Sequence, residues 1–387
     1  MSKTFVELGV TPEVVDVLEA GGITEAFPIQ EMTIQDALAG RDVCGKAKTG
    51  SGKTLAFGIP TVQAMAKETK NRVGGVILVP TRELATQVFN ELDPLAKALG
   101  LRSLAVYGGA DIDKQINRLN KGIELIVATP GRMIDLIDRG VIDVAQVAHV
   151  VIDEADRMAD MGFLPQVEWI LRRIEGEHQT LLFSATLDGA IDGLVTRYQH
   201  DPVRHEVESD EVTVDEMVHR FVTVHEMDRN KVVAAIVNSV ERTMVFCNTK
   251  RQCDRLANEL YKLDVDAQPI HGDLRQRQRE KALGDFSRGK TQALVATDVA
   301  ARGIHVDDVD VVIHFDPPDD HKTYLHRSGR TARAGGSGVA VTLVLWNQEL
   351  DVKRMQKRLA LEIPIVEMFS NDERLQDLAA WDPTTIV

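Results

Sequence analysis

The sequence predicts an α/β protein made of two units, each a largely parallel sheet covered by helices on both faces. Three observations carry that prediction. Short runs rich in Val, Ile and Leu recur between helical stretches, as strands do when both faces of a sheet are buried. The pattern occurs in the first half of the chain and again in the second, so two such units are implied. At 387 residues the chain is long enough for two domains, each with its own core.

Taken in order, the first element is a helix with Thr11 as N-cap, Pro12 at its first position and Gly21-Gly22 as its stop. A short apolar stretch at Val43-Cys44 leads into a glycine loop, and a helical pattern starts near Leu55. Strands are expected at Val76 to Val79, Leu125 to Ala128, Val150 to Ile152 and Leu181 to Phe183, closing a first domain over 1–205. His205 to Glu216 is acidic and has no long apolar run, which places a linker at 206–217. Met244 to Cys247, Leu294 to Ala296, Val311 to Phe315 and Val339 to Leu343 are the expected strands of a second domain over 218–362. Residues 363–387 read as a short tail.

Composition narrows the function. No apolar run approaches the roughly 18 residues of a membrane helix, and the start lacks the apolar stretch of a secretory signal, so a cytoplasmic protein without a membrane partner is expected. Cys44, Cys247 and Cys253 have neither zinc-site nor disulfide spacing and read as reduced, buried thiols. A formal net charge of −14 disfavours broad non-specific nucleic-acid binding. A local row of donors can still bind a phosphate backbone.

Two stretches carry phosphate chemistry. Ala47, Lys48, Thr49, Gly50, Ser51, Gly52, Lys53 and Thr54 form a P-loop in the strand, loop, helix context that such a loop requires. Gly50 and Gly52 let backbone N–H groups curl round phosphate oxygens, Lys53 brings positive charge to the β and γ phosphates, and Thr54 offers a hydroxyl to Mg2+. Asp153-Glu154-Ala155-Asp156 follows an apolar strand, so its carboxylates emerge at the carboxyl edge of the sheet. Alone it reads as a solvated acidic turn; with a P-loop upstream, Asp153 is the expected ligand of hydrated Mg2+ and Glu154 the base for the attacking water. In the second half, Arg330 and Arg333 stand three residues apart in a glycine-rich stretch, on one side of a turn.

Together AKTGSGKT, DEAD, Ser184-Ala185-Thr186 and HRSGRTAR, in that order, resemble the DEAD-box RNA helicases from about Phe5 to residue 360. Further blocks match in sequence: PTREL from Pro80, Gly108-Gly109, TPGR from Thr129, VFCNT from Val245, QRQR from Gln276 and TDVAARG from Thr297. The resemblance implies two tandem RecA-like domains and RNA-stimulated hydrolysis of ATP. It makes Gln30 the reader of adenine, with Ile23 packing where the family usually has an aromatic residue. Arg330 and Arg333 become arginine fingers, and His305 replaces an aspartate that reaches the ribose, which would make nucleotide affinity pH-dependent. Ser184, Thr186, Asp156 and His326 are implied in interdomain coupling.

By the same resemblance, Pro80, Thr81, Arg82, Gly109, Thr129, Gly131 and Arg132, with Gln276, Arg279 and Thr297, line a track for RNA as a single strand or short duplex. Such donors grip the backbone and read no bases. The expected mechanism is closure of the two domains on ATP and RNA together, bending the strand and unwinding short duplexes locally. An ATP-gated RNA clamp with little unwinding would carry the same motifs, and targeting would fall to a protein partner.

Overall fold

Each expected apolar run becomes a strand, and five further strands complete two sheets. The computed structural model describes residues 3–47, 50–68, 72–187, 189–207, 217–301, 309–331 and 338–383. By internal contacts the chain divides into Met1–Ser209 and Asp210–Val387.

In the first unit the strands are β1 (Val43–Lys46), β2 (Gly75–Leu78), β3 (Ser103–Val106), β4 (Leu125–Ala128), β5 (His149–Asp153), β6 (Gln179–Ser184) and β7 (Val203–Glu206). Its helices are α1 (Pro12–Ala20), α2 (Pro28–Leu38), α3 (Lys53–Glu68), α4 (Arg82–Ala98), α5 (Ile112–Leu119), α6 (Pro130–Asp138), α7 (Ala155–Asp160), α8 (Leu164–Leu171) and α9 (Gly189–Tyr198). The second unit has β8 (Val218–Thr223), β9 (Thr243–Phe246), β10 (Ala267–Ile270), β11 (Ala293–Ala296), β12 (Val311–His314), β13 (Val339–Val344) and β14 (Ile365–Glu367). With these go α10 (Arg229–Val237), α11 (Lys250–Tyr261), α12 (Gln276–Ser287), α13 (Asp298–Ala301), α14 (His321–Ser328) and α15 (Glu349–Arg358).

The strand orders are β3-β4-β2-β5-β6-β1-β7 and β10-β11-β9-β12-β13-β8-β14. Counted from the first strand of each unit, these are the same order, so the second unit repeats the topology of the first. All the pairings between these strands are parallel. Parallel neighbours need crossovers, and the helices that supply them cover both faces. Strand alternation divides the side chains between two cores. Ile77, Val127, Val151 and Phe183 pack with α2, α3 and α4, whereas Val76, Ile126, Ile152 and Leu182 pack with α6, α8 and α9.

The strands that the sequence did not announce are edge strands or carry polar residues. β7 alternates half-buried and exposed positions, and β14 has only three residues. β8 contains His219 and Arg220, both buried. Arg220 explains why the stretch beyond residue 362, expected as a tail, packs on the second unit instead. Its Nε donates to the Leu378 carbonyl at 2.8 Å, and Nη2 donates to the Ala379 and Trp381 carbonyls at 3.2 and 2.6 Å. β14 adds to β8, while Met368, Leu375 and Leu378 are buried in the core beside it. The three cysteines are buried free thiols. Among the described residues no helix is long and apolar enough to cross a membrane.

Candidate functional site

Parallel topology sends every strand end to one edge, so the loops after β1, β5 and β6 are neighbours because those strands are adjacent. The glycine loop follows β1, and α3 begins at Lys53, two residues earlier than its apolar pattern suggested. Gly50 and Gly52 have φ of 81° and 83°, a backbone that side chains rarely adopt. A Cβ on Gly52 would lie 2.4 Å from Gln30 Nε2 and 2.8 Å from Phe27 Cδ2. Lys53 is buried, and its ammonium donates to the Ala47 carbonyl at 2.9 Å.

Gln30 is fully buried and braces the loop. Its Oε1 accepts from the Phe27 N–H at 2.8 Å, closing the start of α2, and its Nε2 donates to the Gly52 carbonyl at 2.9 Å. An amide has two lone pairs and two N–H groups, so one acceptor and one donor remain, matching the donor and acceptor on the adenine edge. Ile23 is partly buried against the core. Phe27, 54% exposed and in contact range of Gly52, is the aromatic surface next to the loop.

Asp153 ends β5 and is buried with Glu154. Burial pushes the Asp153 carboxyl above the usual range, Lys53 opposes that shift, and Glu154 and Asp156 add to it. Glu154 has φ 53° and ψ 50°, a left-handed conformation costly for a residue with a Cβ. That turn carries the chain from strand to α7, and the Glu154 N–H donates to Asp153 Oδ1 at 2.9 Å. The Glu154 carboxylate pairs with Arg157, a residue that sequence reading missed although three-residue spacing announces such a pair on a helix. Thr54 hydrogen-bonds to the carboxyl of Glu91 on α4, which burial raises. Glu91 lies 37 positions away in sequence, and no local signal points to it.

The oxygens of Asp153 and Thr54 are hard donors of the kind Mg2+ takes. Among the described residues no group of three or more His, Cys, Asp or Glu could cage a metal. Next to them, Asp156 Oδ2 accepts from the Ala185 and Thr186 N–H groups at 3.2 and 3.3 Å, and the Asp156 N–H donates to Ser184 Oγ at 3.2 Å. The end of β6 is thus tied directly to the acidic turn, within the first unit.

The candidate RNA residues occupy the other half of the same edge, after β3, β4 and β2. Thr81 caps α4 by accepting from the Leu84 N–H, and Pro80 precedes it. Arg82 lies over Gly109, where φ is 81° and an added Cβ would sit 2.4 Å from its Nη1. Arg132 donates to the Gln115 Oε1 at 2.9 Å and to the Ala110 carbonyl at 3.3 Å. Thr129 and Gly131 belong to the turn that starts α6. In the second unit Gln276 and Arg279 lie on α12, after β10, and Thr297 immediately precedes α13, after β11. Arg279 and Thr297 are buried, and Gln276 donates to Glu280 at 3.1 Å. On α14 His326 is exposed, and Arg330 follows in the next turn. Lys48, Thr49, His305 and Arg333 lie outside the described residues.

A P-loop with an acidic strand end, in one of two α/β units of identical strand order, defines a tandem RecA-like nucleotide hydrolase. Family profiles described as "DEAD/DEAH box helicase" and "Helicase conserved C-terminal domain" match residues 27–193 and 228–335. The DEAD-box ATP-dependent RNA helicase CshA of Geobacillus kaustophilus is 42% identical over 366 residues, 92% of this chain and 78% of that protein. CshA of Bacillus cereus is 40% identical over 96% of this chain and 71% of its own length. The structure titled S. cerevisiae Dbp5 bound to RNA and ADP BeF3 is similar with a TM-score of 0.81 at 27% identity, covering 97% of this chain and 98% of that one. The chain belongs to the DEAD-box family of ATP-dependent RNA helicases, and it is an ATP-hydrolysing enzyme.

Proposed function

We propose that this helicase separates short RNA duplexes locally, by closing its two units on ATP and a single strand and bending that strand. The observation that carries the reading is the shared carboxyl edge of the first sheet. One half holds the P-loop, Asp153 and Glu154, the other holds Arg82, Gly109 and Arg132, and the strand order places β5 next to β2. A strand gripped by its backbone on one half lies beside the nucleotide on the other.

In this reading Lys53 and the loop N–H groups bind the phosphates, and Gln30 reads adenine with its remaining donor and acceptor. Asp153 and Thr54 would hold Mg2+, which when bound neutralises charge on the phosphate oxygens. Glu154 orients water and takes its proton, and Arg157 fixes the carboxylate in place. Arg330 and Arg333 would stabilise the charge that spreads over the transferred phosphoryl group; such fingers contribute roughly 10³ to 10⁵ in rate elsewhere. Hydrolysis then removes the link that held the units closed. Closure is favoured because ATP and RNA each bind the closed arrangement better. A protein partner would select the RNA, since backbone contacts carry no sequence information.

Glu154→Gln tests the core of this scheme. The amide keeps an acceptor for Arg157 but cannot take a proton, so single-turnover hydrolysis with RNA should fall about 10²- to 10⁴-fold. ATP and RNA should still bind, and the RNA complex should dissociate slowly. Parental turnover, or loss of binding together with turnover, would remove Glu154 as base.

A further inference from the structure

Arg327 is an arginine that neither the P-loop chemistry nor the RNA track uses, yet it is 2% exposed and donates four hydrogen bonds. Its Nε and Nη2 donate to the two carboxylate oxygens of Asp298 at 2.6 and 2.7 Å, a bidentate fork. Nη2 also donates to Asn248 Oδ1 at 3.0 Å, and Nη1 donates to the Asp316 carbonyl at 2.7 Å. The Asp316 carboxylate in turn accepts from Arg229 and Gln252, both at 3.2 Å, and from the Asn248 N–H at 2.9 Å. One buried guanidinium therefore joins the segments that follow β9, β11 and β12.

What lies at each end of this junction gives it a use. α13 has four residues, and Thr297 of the candidate RNA track immediately precedes it. On its other side Arg279 Nη2 reaches the Ala300 carbonyl at 3.5 Å. The Arg327 carbonyl accepts the Arg330 N–H at 3.2 Å, so the backbone of the candidate finger is referenced to Arg327. Thr331 Oγ1 fixes the next residue to the Val309 carbonyl at 2.6 Å.

We infer that Arg327 and Asp298 form a relay by which RNA seated at Thr297 and Arg279 sets the position of Arg330 for hydrolysis. The inference rests on the reading of Arg330 as a finger. Arg327 is a positioning residue: its guanidinium is bound to Asp298, Asn248 and the Asp316 carbonyl, and a fork of this geometry transmits a displacement of α13 to α14 because both carboxylate oxygens are held. Lysine keeps the charge and loses the fork.

The test compares the parent with R327K, D298N, R330A and R327K/R330A in steady-state ATPase, with and without polyuridylate RNA, alongside thermal unfolding. R327K and D298N should each lower the RNA-stimulated kcat roughly 10- to 100-fold, the scale of small misplacements at an active site. KM for ATP and half-saturation by RNA should stay within about threefold, and the RNA-free rate should change less than the stimulated one. In the R330A background, R327K should add less than about twofold, since both act through one side chain. Should R327K fail to fold, D298N decides, because Asp298 is partly exposed. Parental RNA stimulation in D298N, or losses in R327K and R330A that multiply, would overturn the relay while leaving the finger in place. Parental kcat in R330A would overturn the finger reading and the relay with it.

Discussion

Replacing Gln30 with alanine separates the bracing that the structure shows from the reading of adenine that we propose for the same amide. In the parent, Oε1 accepts from the Phe27 N–H at 2.8 Å and Nε2 donates to the Gly52 carbonyl at 2.9 Å, in a side chain with no exposed surface. Loss of the first bond removes the cap of α2, which costs about 1 kcal/mol. Loss of the second leaves the Gly52 carbonyl without its donor, at about 1–3 kcal/mol. Together they predict a destabilisation of about 2–4 kcal/mol in the first unit. For a unit of this size, each kcal/mol lowers the unfolding temperature by about 2–4 °C, so the transition should fall by roughly 4–16 °C. Differential scanning calorimetry measures that shift, and ATP titration measures the second job. Without the amide, KM for ATP should rise roughly 10- to 100-fold, the worth of two hydrogen bonds at about 0.5–1.5 kcal/mol each, and the preference for ATP over GTP should shrink. An unchanged unfolding temperature would show that the amide does not brace the loop. Unchanged discrimination between ATP and GTP would show that it does not read adenine.

Two other outcomes follow from particular residues. Gly109→Ala puts a Cβ into left-handed backbone 2.4 Å from Arg82 Nη1, so the RNA concentration for half-maximal ATPase should rise severalfold while KM for ATP holds; an RNA response equal to the parent's would remove Arg82 and Gly109 from the track. His314 is buried among Phe246, Tyr324 and Ser328, and burial first, then the influence of Arg327 and His219, holds its pKa well below 6.5. Because the unfolded chain takes up a proton that the folded imidazole refuses, stability present above pH 6.5 is lost as pH falls, by about 1 kcal/mol between pH 6.5 and 5.5. Denaturant unfolding of the parent and His314→Gln across that range should show the slope in the parent and a shallower one in the variant.

Much of the site was legible because its chemistry is local. The P-loop needs its glycines, lysine and threonine in one unbroken stretch, and the acidic turn needs a strand before it, so contiguous sequence carries both. The central strands were legible for a related reason: a strand buried on both faces is apolar throughout, and Val150-Val151-Ile152 could be little else. β7 and β14 were not, since an edge strand is half exposed and its composition is mixed. Nor was the docking of the last segment, which hangs on Arg220, a charged residue that reads as surface until three backbone carbonyls are found around it.

The sequence by itself determined the two α/β units, the family and the residue types of the candidate site. Only the tertiary structure decided the distant partners: Thr54 with Glu91, Gln30 with Gly52, Arg327 with Asp298. The reason is physical. A catalytic motif is a requirement of chemistry on neighbouring atoms, whereas a buried polar group needs a partner from wherever the fold brings one, and parallel crossovers bring it from strands far apart in the chain.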